Sequence, residues 1–392
     1  MTPAARLQAA IEILDQILAG APAEKQLTSW ARRSRFAGSK DRAAVRDHVF
    51  QVLRCFRSYG VLGGSTTGRG LILGSLRAQG IDPATMFTGE GHAPQPLSAE
   101  EQNHAPVFSS EAERLDLPEW LFPALQHSLG DQAEAEAMAL RSRAPVHLRV
   151  NLLRGSVAQA QKALLSEGIE TECHPASATA LEVVEGARKL RNSKCFEQGL
   201  VELQDAASQA VVDQLPLQNG MRVLDFCAGG GGKSLAMAAQ ANSRIFAHDI
   251  DPGRMKDIAE RAKRAGAQIS CLGSDELTRK APFDLILCDA PCSGSGSWRR
   301  APEGKWRLSR ARLEEIKGVQ SQILDQAAEL TAKTGILAYA TCSILAEENT
   351  DQIEAFLQRH PDWHQINCKS WRVQDGTDGF FVSVLTRNGD GC

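Results

Sequence analysis
No apolar run in these 392 residues approaches the roughly 18 that a membrane span requires. None of the ten cysteines forms a Cys-x-x-Cys pair, which leaves a zinc site or a disulfide framework without support. An excess of one charge is also missing: 44 Lys and Arg stand against 47 Asp and Glu, for a net charge of −3. The chain is not a polycation, so nucleic-acid contacts would have to come from local basic patches. There is no internal repeat and no low-complexity tract. The composition is 43% hydrophobic and 23% charged, ordinary for a globular protein, and it excludes disorder as the main state. The length suits two or three domains with sizeable cores. The opening stretch MTPAARLQAAIEILDQILAG carries Arg6, Glu12 and Asp15 among its apolar residues, unlike a secretory signal. The expectation is a cytoplasmic protein with no metal.

The hydrophobic pattern divides the chain into four stretches. Residues 1–80 predict helices: Leu7, Ala10, Ile11, Leu14, Ile17 and Leu18 recur at three and four residues, and Gly20 is a stop. A second helix is predicted from about Ser39, burying Val45, Val49, Val52, Leu53 and Phe56. Basic residues crowd this stretch, including Lys25, Arg32, Arg33, Arg35, Lys40, Arg42, Arg46, Arg54 and Arg57. They form either a solvated face or a surface for a phosphate backbone. Residues 81–144 predict a Pro/Gly/Ser-rich linker followed by a short helical segment. Residues 145–205 predict a small α+β module, with a helix from Val157 that stops at Gly168. Over 206–390, strands RVLDFCA, RIFAHD, QISCLG, FDLILCDAP and GILAYATCS alternate with helices that begin near Lys233, Pro252, Leu313 and Glu347. That alternation predicts an α/β fold with a largely parallel sheet. FFVSVLTR adds a further strand.

Candidate ligand residues gather at the strand ends. VLDFCAGGGGKS runs from a strand through four glycines, 229–232, into a helix. A P-loop would need glycine where Cys227 stands. A dinucleotide fingerprint would need glycine where Ser234 stands. S-adenosylmethionine remains: a glycine turn follows the first strand, and an acid ending the second strand takes the ribose hydroxyls. Asp249 sits twenty residues beyond Gly229 and fits that role. Asp251 is a near alternative, and a cap for the helix at Pro252 is the alternative use of Asp249. Asp275, after the third strand, is placed to meet the adenine amino group or to be a solvated loop acid. Asp289 and Cys292 lie in DAPCSGSG and Cys342 in ATCS, at the carboxyl ends of two strands that are expected to be neighbours. Two such cysteines beside a nucleotide loop are hard to explain as packing alone. Lys233 would lower a thiol pKa, or point into water from its helix.

CAGGGGK, DAPCSGSG and ATCS, in this order and spacing, resemble the RsmB-type (Sun/Fmu) RNA cytosine-C5 methyltransferases over residues 145 to about 390. GSKDRAAVRDHVFQVLR resembles the NusB-like RNA-binding domain of the bacterial ribosomal-RNA members. The resemblance implies a Rossmann-like S-adenosylmethionine-dependent domain at the C-terminus, a small α+β RNA-binding module before it and an all-helical N-terminal domain. It implies that Cys342 is the nucleophile and that Cys292 assists release of the enzyme from the methylated base. A thiolate added at carbon 6 makes carbon 5 of cytosine electron-rich enough to take a methyl group. Spacing alone leaves the two cysteines interchangeable. Cys227, Ala228, Gly229, Gly230, Gly231, Gly232, Lys233, Asp249, Asp275 and Asp289 would line the cofactor site. The family usually has Ala-Pro where Gly229-Gly230 stand, which predicts a looser loop and at most weaker cofactor binding.

WRRAPEGKWRLSRAR, residues 298–312, offers Arg299, Arg300, Lys305 and Arg307 to RNA phosphates, with Trp298 and Trp306 available for stacking. The alternative is a surface loop with its tryptophans packed inward. The expected substrate is 16S ribosomal RNA, at an unpaired or flipped-out cytosine, with the protein acting as a monomer. Transfer RNA as substrate, or a non-catalytic RNA-binding role in ribosome assembly, stay open.

Overall fold
The computed structural model describes residues 1–387, so Cys392 and residues 388–390 of the expected C-terminal domain lie outside the described residues. The chain packs as two compact units: Met1–Arg143 with Trp298–Arg307, and Ala144–Ser297 with the residues from Leu308 onward.

The first unit is helical: α1 (Pro3–Leu18), α2 (Ala23–Arg33), α3 (Ser39–Arg54), α4 (Phe56–Gly63) and α5 (Gly68–Ala78). Thr2 starts α1 by accepting the Ala5 amide at 3.1 Å, and Pro3 fits the first turn, where no amide donor is needed. The predicted apolar stripes are buried together, with Leu7, Ala10, Ile11 and Leu14 of α1 against Val45, Val49, Val52 and Leu53 of α3. α2 was not foreseen. It buries only Ala23, Leu27 and Trp30, too few positions for a readable period in a charged segment. Phe56 begins α4 rather than ending α3. α4 and α5 meet through glycine: a Cβ on Gly63 would lie 1.8 Å from the Gly70 carbonyl oxygen, and one on Gly74 would lie 1.9 Å from that of Tyr59. Deeper in the unit, the fully buried Asp116 accepts the Ser58 amide at 2.8 Å and hydroxyl at 2.7 Å, and pairs with Arg141 at 2.8 Å.

The second unit holds two sheets. Strands β1 (His147–Val150), β2 (Glu170–Cys173), β3 (Ala180–Glu185) and β4 (Val201–Leu203) form an antiparallel sheet in the order β2-β3-β1-β4. Helix α6 (Val157–Ser166) packs on it through Ala160 and Leu164. The chain then enters α7 (Ala206–Asp213) and a second sheet. Its strands are β5 (Arg222–Asp225), β6 (Arg244–Ala247), β7 (Ile269–Cys271), β8 (Phe283–Asp289), β9 (Thr331–Thr341), β10 (Trp363–Trp371) and β11 (Phe380–Arg387). The order is β10-β11-β9-β8-β5-β6-β7, parallel from β7 to β9 and antiparallel at β11 and β10.

The continuous apolar runs of β5, β8 and β9 follow from burial on both faces. One face packs on α10 (Arg310–Leu330) and α11 (Thr350–Arg359) through Leu324, Ala327, Ile353 and Phe356. The other packs on α7 and α8 (Gly232–Gln240) through Val211, Ala236 and Met237. The predicted strands and the α/β class are all present. The helix expected at Pro252 is split into a short turn, Pro252–Met255, and α9 (Ile258–Ala265). β10 was missed because it is an edge strand, exposed along most of its length, and shows no apolar alternation.

Gly74→Ala tests the close approach of α4 and α5. An alanine in a helix interior ordinarily adds about 1 kcal/mol of stability. Here the added methyl meets backbone, and the expected result is a loss of about 1–3 kcal/mol, seen as a lower Tm in circular dichroism melts. A Tm equal to or above that of the parent would refute the contact.

Candidate active site
The parallel pairing of β8 and β9 sets Asp289 opposite Ala340. Cys292 and Cys342 follow within three and two residues, so both loops leave the sheet side by side at its carboxyl edge. Their sulfurs are 3.4 Å apart. The Gly296 amide donates to the Cys342 carbonyl at 3.0 Å, and the Gly379 amide donates to that of Gly296 at 2.9 Å. A side chain at Gly296 would put its Cβ 2.0 Å from the Gly379 oxygen, so only glycine allows this approach. The two thiols are within hydrogen-bond distance, and either can donate. That bond pulls the Cys342 pKa down against burial and the Asp289 charge, and the Lys233 ammonium helps. Cys292 is pushed well up, by the same bond, by burial and by the charges of Cys342 and Glu348. The surroundings of the two cysteines, which spacing left equivalent, thus differ: Lys233 favours a thiolate at Cys342, and the Glu348 charge disfavours one at Cys292.

Both cysteines face a cavity of about 690 Å³, whose lining also includes Gly229, Gly230, Asp249 and Asp289. Gly229 has a φ of +51°, so the residue that departs from the family's usual alanine occupies a backbone region that favours glycine. Gly231 has a φ of +77° and caps the start of α8, and a Cβ there would meet the Ile258 side chain at 2.9 Å. Asp249, at the end of β6, is buried. Its carboxylate accepts the Gly229 amide at 2.9 Å and the Asp251 amide at 3.0 Å, and Arg254 lies 3.1 Å away. The cap of the Pro252 turn is Asp251 instead, through the Gly253 amide. Lys233, 7% exposed, donates to Asp289 at 2.7 Å and lies over the Phe380 ring. It does not point to water. Beneath the loop, Asp225 is fully enclosed, and burial pushes its carboxyl up to about 7 despite the bond donated by the Ser234 hydroxyl.

Other expected residues lie elsewhere. Asp275 is not among the cavity-lining residues: its carboxylate is 82% exposed and pairs with Arg279 one helical turn along. The third strand, β7, ends before its acid reaches the cavity, and Ser274 bonds the His248 ring instead. The basic segment divides. Trp298, Arg299 and Lys305 are buried in the helical unit, whereas Arg300 and Arg307 are exposed. Lys305 donates to the Arg54 carbonyl at 3.0 Å, Trp306 donates to that of Leu53 at 2.7 Å, and Arg54 donates to that of Arg299 at 2.7 Å. Burial lowers the Lys305 ammonium to about 8. Arg299 and Lys305, expected to meet RNA, therefore serve packing instead, beside Trp298, which packs inward as the alternative had it.

Sequence reasoning also missed Glu348, Gln320 and Arg254, all close to the site and none in a recognisable spacing. Among the described residues, His147, His174 and Glu182 have the composition of a metal site. Each histidine commits its Nδ1, His147 at 3.0 Å from the Asp205 carboxylate and His174 as acceptor of the Ala176 amide at 3.2 Å, while the buried His147 Nε2 has no hydrogen-bond partner.

Known proteins resemble this chain in sequence and in fold. Residues 212–386 match the family described as 16S rRNA methyltransferase RsmB/F. Residues 117–188 match the ferredoxin-like domain of RsmF/B-like methyltransferases. Ribosomal RNA small subunit methyltransferase B of Citrobacter koseri is 37% identical over 295 residues, covering 71% of this chain and 68% of that protein. The protein of the same name from Photorhabdus laumondii is 34% identical over 291 residues, covering 69% of this chain and 66% of its own length. The match thus spans about two thirds of these relatives. The solved structure of PH0851 is similar in fold, with a TM-score of 0.78 and 24% identity over 99% of either chain. Sequence and fold agree, and the chain belongs to the RsmB/F methyltransferase family.

Proposed function
We propose that this chain methylates carbon 5 of a cytosine in 16S ribosomal RNA, using S-adenosylmethionine. The observation that carries the reading is the 3.4 Å cysteine pair opening into the same cavity as the glycine loop and Asp249. Action in the cytoplasm, as a monomer and without a metal, belongs to the same proposal.

The residues fit the cofactor on their own chemistry. The loop at 228–230 lines the cavity, and the buried Asp249 is held at its edge by two amides, with carboxylate lone pairs to spare for ribose hydroxyls. The cofactor supplies an electrophilic methyl group on sulfur. Cys342 would form the S–C6 bond and drive electron density to carbon 5, which would take the methyl group as the methyl's bond to the cofactor sulfur breaks and leaves a neutral thioether. Loss of the carbon-5 proton to solvent water and breaking of the S–C6 bond would restore the aromatic base and free Cys342. Cys292, protonated and 3.4 Å away, is placed to return a proton to the departing thiolate. Lys233 and Asp289, paired at 2.7 Å, present an ammonium and a carboxylate beside the sulfurs, to orient the pyrimidine and temper the Cys342 charge. RNA contacts are assigned to Arg300 and Arg307, together with the exposed Arg32, Arg33, Arg35 and Arg42 of the helical unit.

With labelled S-adenosylmethionine and unmodified RNA, the wild-type chain is expected to place label in 5-methylcytidine of 16S RNA. Cys342→Ala is expected to abolish transfer, and Cys292→Ala to accumulate a denaturation-resistant RNA adduct. An adduct from Cys342→Ala alone would reverse the roles, label in transfer RNA alone would move the substrate, and cofactor binding without transfer to any RNA would leave the non-catalytic reading. Asp249→Ala is expected to weaken S-adenosylmethionine binding about tenfold or more by calorimetry, and an unchanged Kd would remove it from the cofactor site. Replacing both Arg300 and Arg307 with Gln is expected to make the plot of log K against log salt shallower by roughly 0.7 for each phosphate no longer neutralised. Arg299→Gln is expected to lower the Tm instead, because that side chain is buried.

A further inference from the structure
Between the two cysteine loops lies a carboxylate that the proposed chemistry does not use. Glu348 ends a short turn, Ala346–Glu348, and is fully buried. It accepts the Ser293 amide at 2.7 Å, the Ser293 hydroxyl, the Ser343 hydroxyl and the Gln320 amide at 3.1 Å. Ser293 directly follows Cys292, and Ser343 directly follows Cys342. One side chain therefore grips the residue after each cysteine. The hydroxyls extend the grip: Ser295 and Ser343 meet at 2.9 Å, and Ser295 accepts the Ile344 amide at 2.9 Å. The backbone beneath is braced as well, by the Tyr339 hydroxyl on the Glu348 carbonyl at 2.7 Å and the Asn349 amide on the Ser343 carbonyl at 2.9 Å.

All four groups on the carboxylate are donors, so the position calls for a group that only accepts. Glutamine has nearly the same shape but would turn an NH₂ toward at least one of these donors. A buried carboxylate is expensive to desolvate, and an apolar or amide bridge would avoid that penalty. The negative charge is thus the feature that needs a reason. Glu348 takes both the amide and the hydroxyl of Ser293, next to Cys292, but only the hydroxyl of Ser343, and its charge raises the Cys292 pKa, whereas Asp289, Lys233 and the Ser297 hydroxyl act on Cys342. A fixed negative charge beside one of two hydrogen-bonded thiols makes that thiol the poorer place for a thiolate. The shared proton stays there, and the other sulfur is left free to attack.

We infer that Glu348 is the positioning residue of the two-cysteine centre, holding both loops so that the sulfurs meet and keeping the shared proton on Cys292 so that Cys342 is the nucleophile. The inference rests on the proposed reading for what Cys342 attacks, but not for how the two thiols differ.

The first readout uses the full chain without RNA or cofactor. Iodoacetamide alkylation is followed across a pH series, and peptide mapping reads Cys292 and Cys342 separately from the exposed Cys173, Cys271 and Cys368. In the wild type, Cys342 is expected to react faster and to titrate at lower pH. In Glu348→Gln, loss of the charge favours a thiolate at Cys292. The Cys342-to-Cys292 rate ratio is expected to fall by about tenfold, the change produced by one pH unit in thiolate fraction, and Glu348→Asp to recover part of it. A folded Glu348→Gln protein with the wild-type ratio and pH midpoints overturns the inference. If that variant fails to fold, the Ser293→Ala/Ser343→Ala protein answers instead. It keeps the charge and loses two hydroxyl donors, so the order of reactivity is expected to persist while kcat for methyl transfer falls about tenfold to a hundredfold at unchanged KM. Reversal of that order overturns the inference. A wild type that shows the alkylation order but transfers no methyl group refutes the proposed function and leaves the Glu348 assignment standing.

Discussion
The register between β8 and β9 is the constraint on which the site depends. Parallel strands carry all their carboxyl ends to one edge, and the pairing of Asp289 with Ala340 places two loops of different sequence at equal height. A shift of one residue would turn every side chain of one strand to the other face and separate the sulfurs. The register is protected by full burial: Leu285, Ile286, Leu287, Leu337, Ala338 and Tyr339 are all inaccessible, and the two faces they present are covered by different helices. The sheet's apolar content thereby fixes the position of polar chemistry that lies outside it.

At that edge the electrostatics are uneven. Asp225, Asp249, Asp289 and Glu348 are all acidic, whereas Lys233 is the buried cation that meets them, through Asp289. An acidic setting raises thiol pKa values, and Cys227 and Cys288 show it, both pushed far up by burial and by neighbouring carboxylates. Cys342 moves in the opposite direction because it receives a thiol hydrogen bond while facing Lys233. The downward pKa shift of Cys342 thus belongs to the pair and its ammonium neighbour, more than to its own loop.

Much of this was legible in sequence, for identifiable reasons. Strands buried on both faces write themselves as apolar runs, and glycines that must adopt positive φ stand out, so β5 to β9, Gly229, Gly231 and both cysteine loops were found. β10 was not, because an exposed edge strand needs no apolar alternation. Asp275 misled because a strand-end acid looks the same whether the strand stops at the cavity or short of it, as β7 does. Glu348 was invisible: it works through four donors on three other segments, and nothing local marks an acceptor-only position.

The segment 298–307 shows how far charge can be trusted as a sign of nucleic-acid binding. Its basic residues look alike in sequence, yet Arg299 and Lys305 are enclosed with Trp298, while Arg300 and Arg307 face solvent. A buried cation is tolerated only where its donors find acceptors, and backbone carbonyls left open at a helix end provide them. The end of α3 does this for Lys305 and Trp306 through Arg54 and Leu53. Long basic side chains also cover apolar surface with their stems, which makes them useful packing residues as well as phosphate ligands. A cluster of Arg, Lys and Trp is therefore consistent with either a docked segment or an RNA surface. What separates the two is whether open carbonyls lie within reach, and that depends on a helix far away in the chain, as the 251-residue separation of Lys305 from Arg54 illustrates.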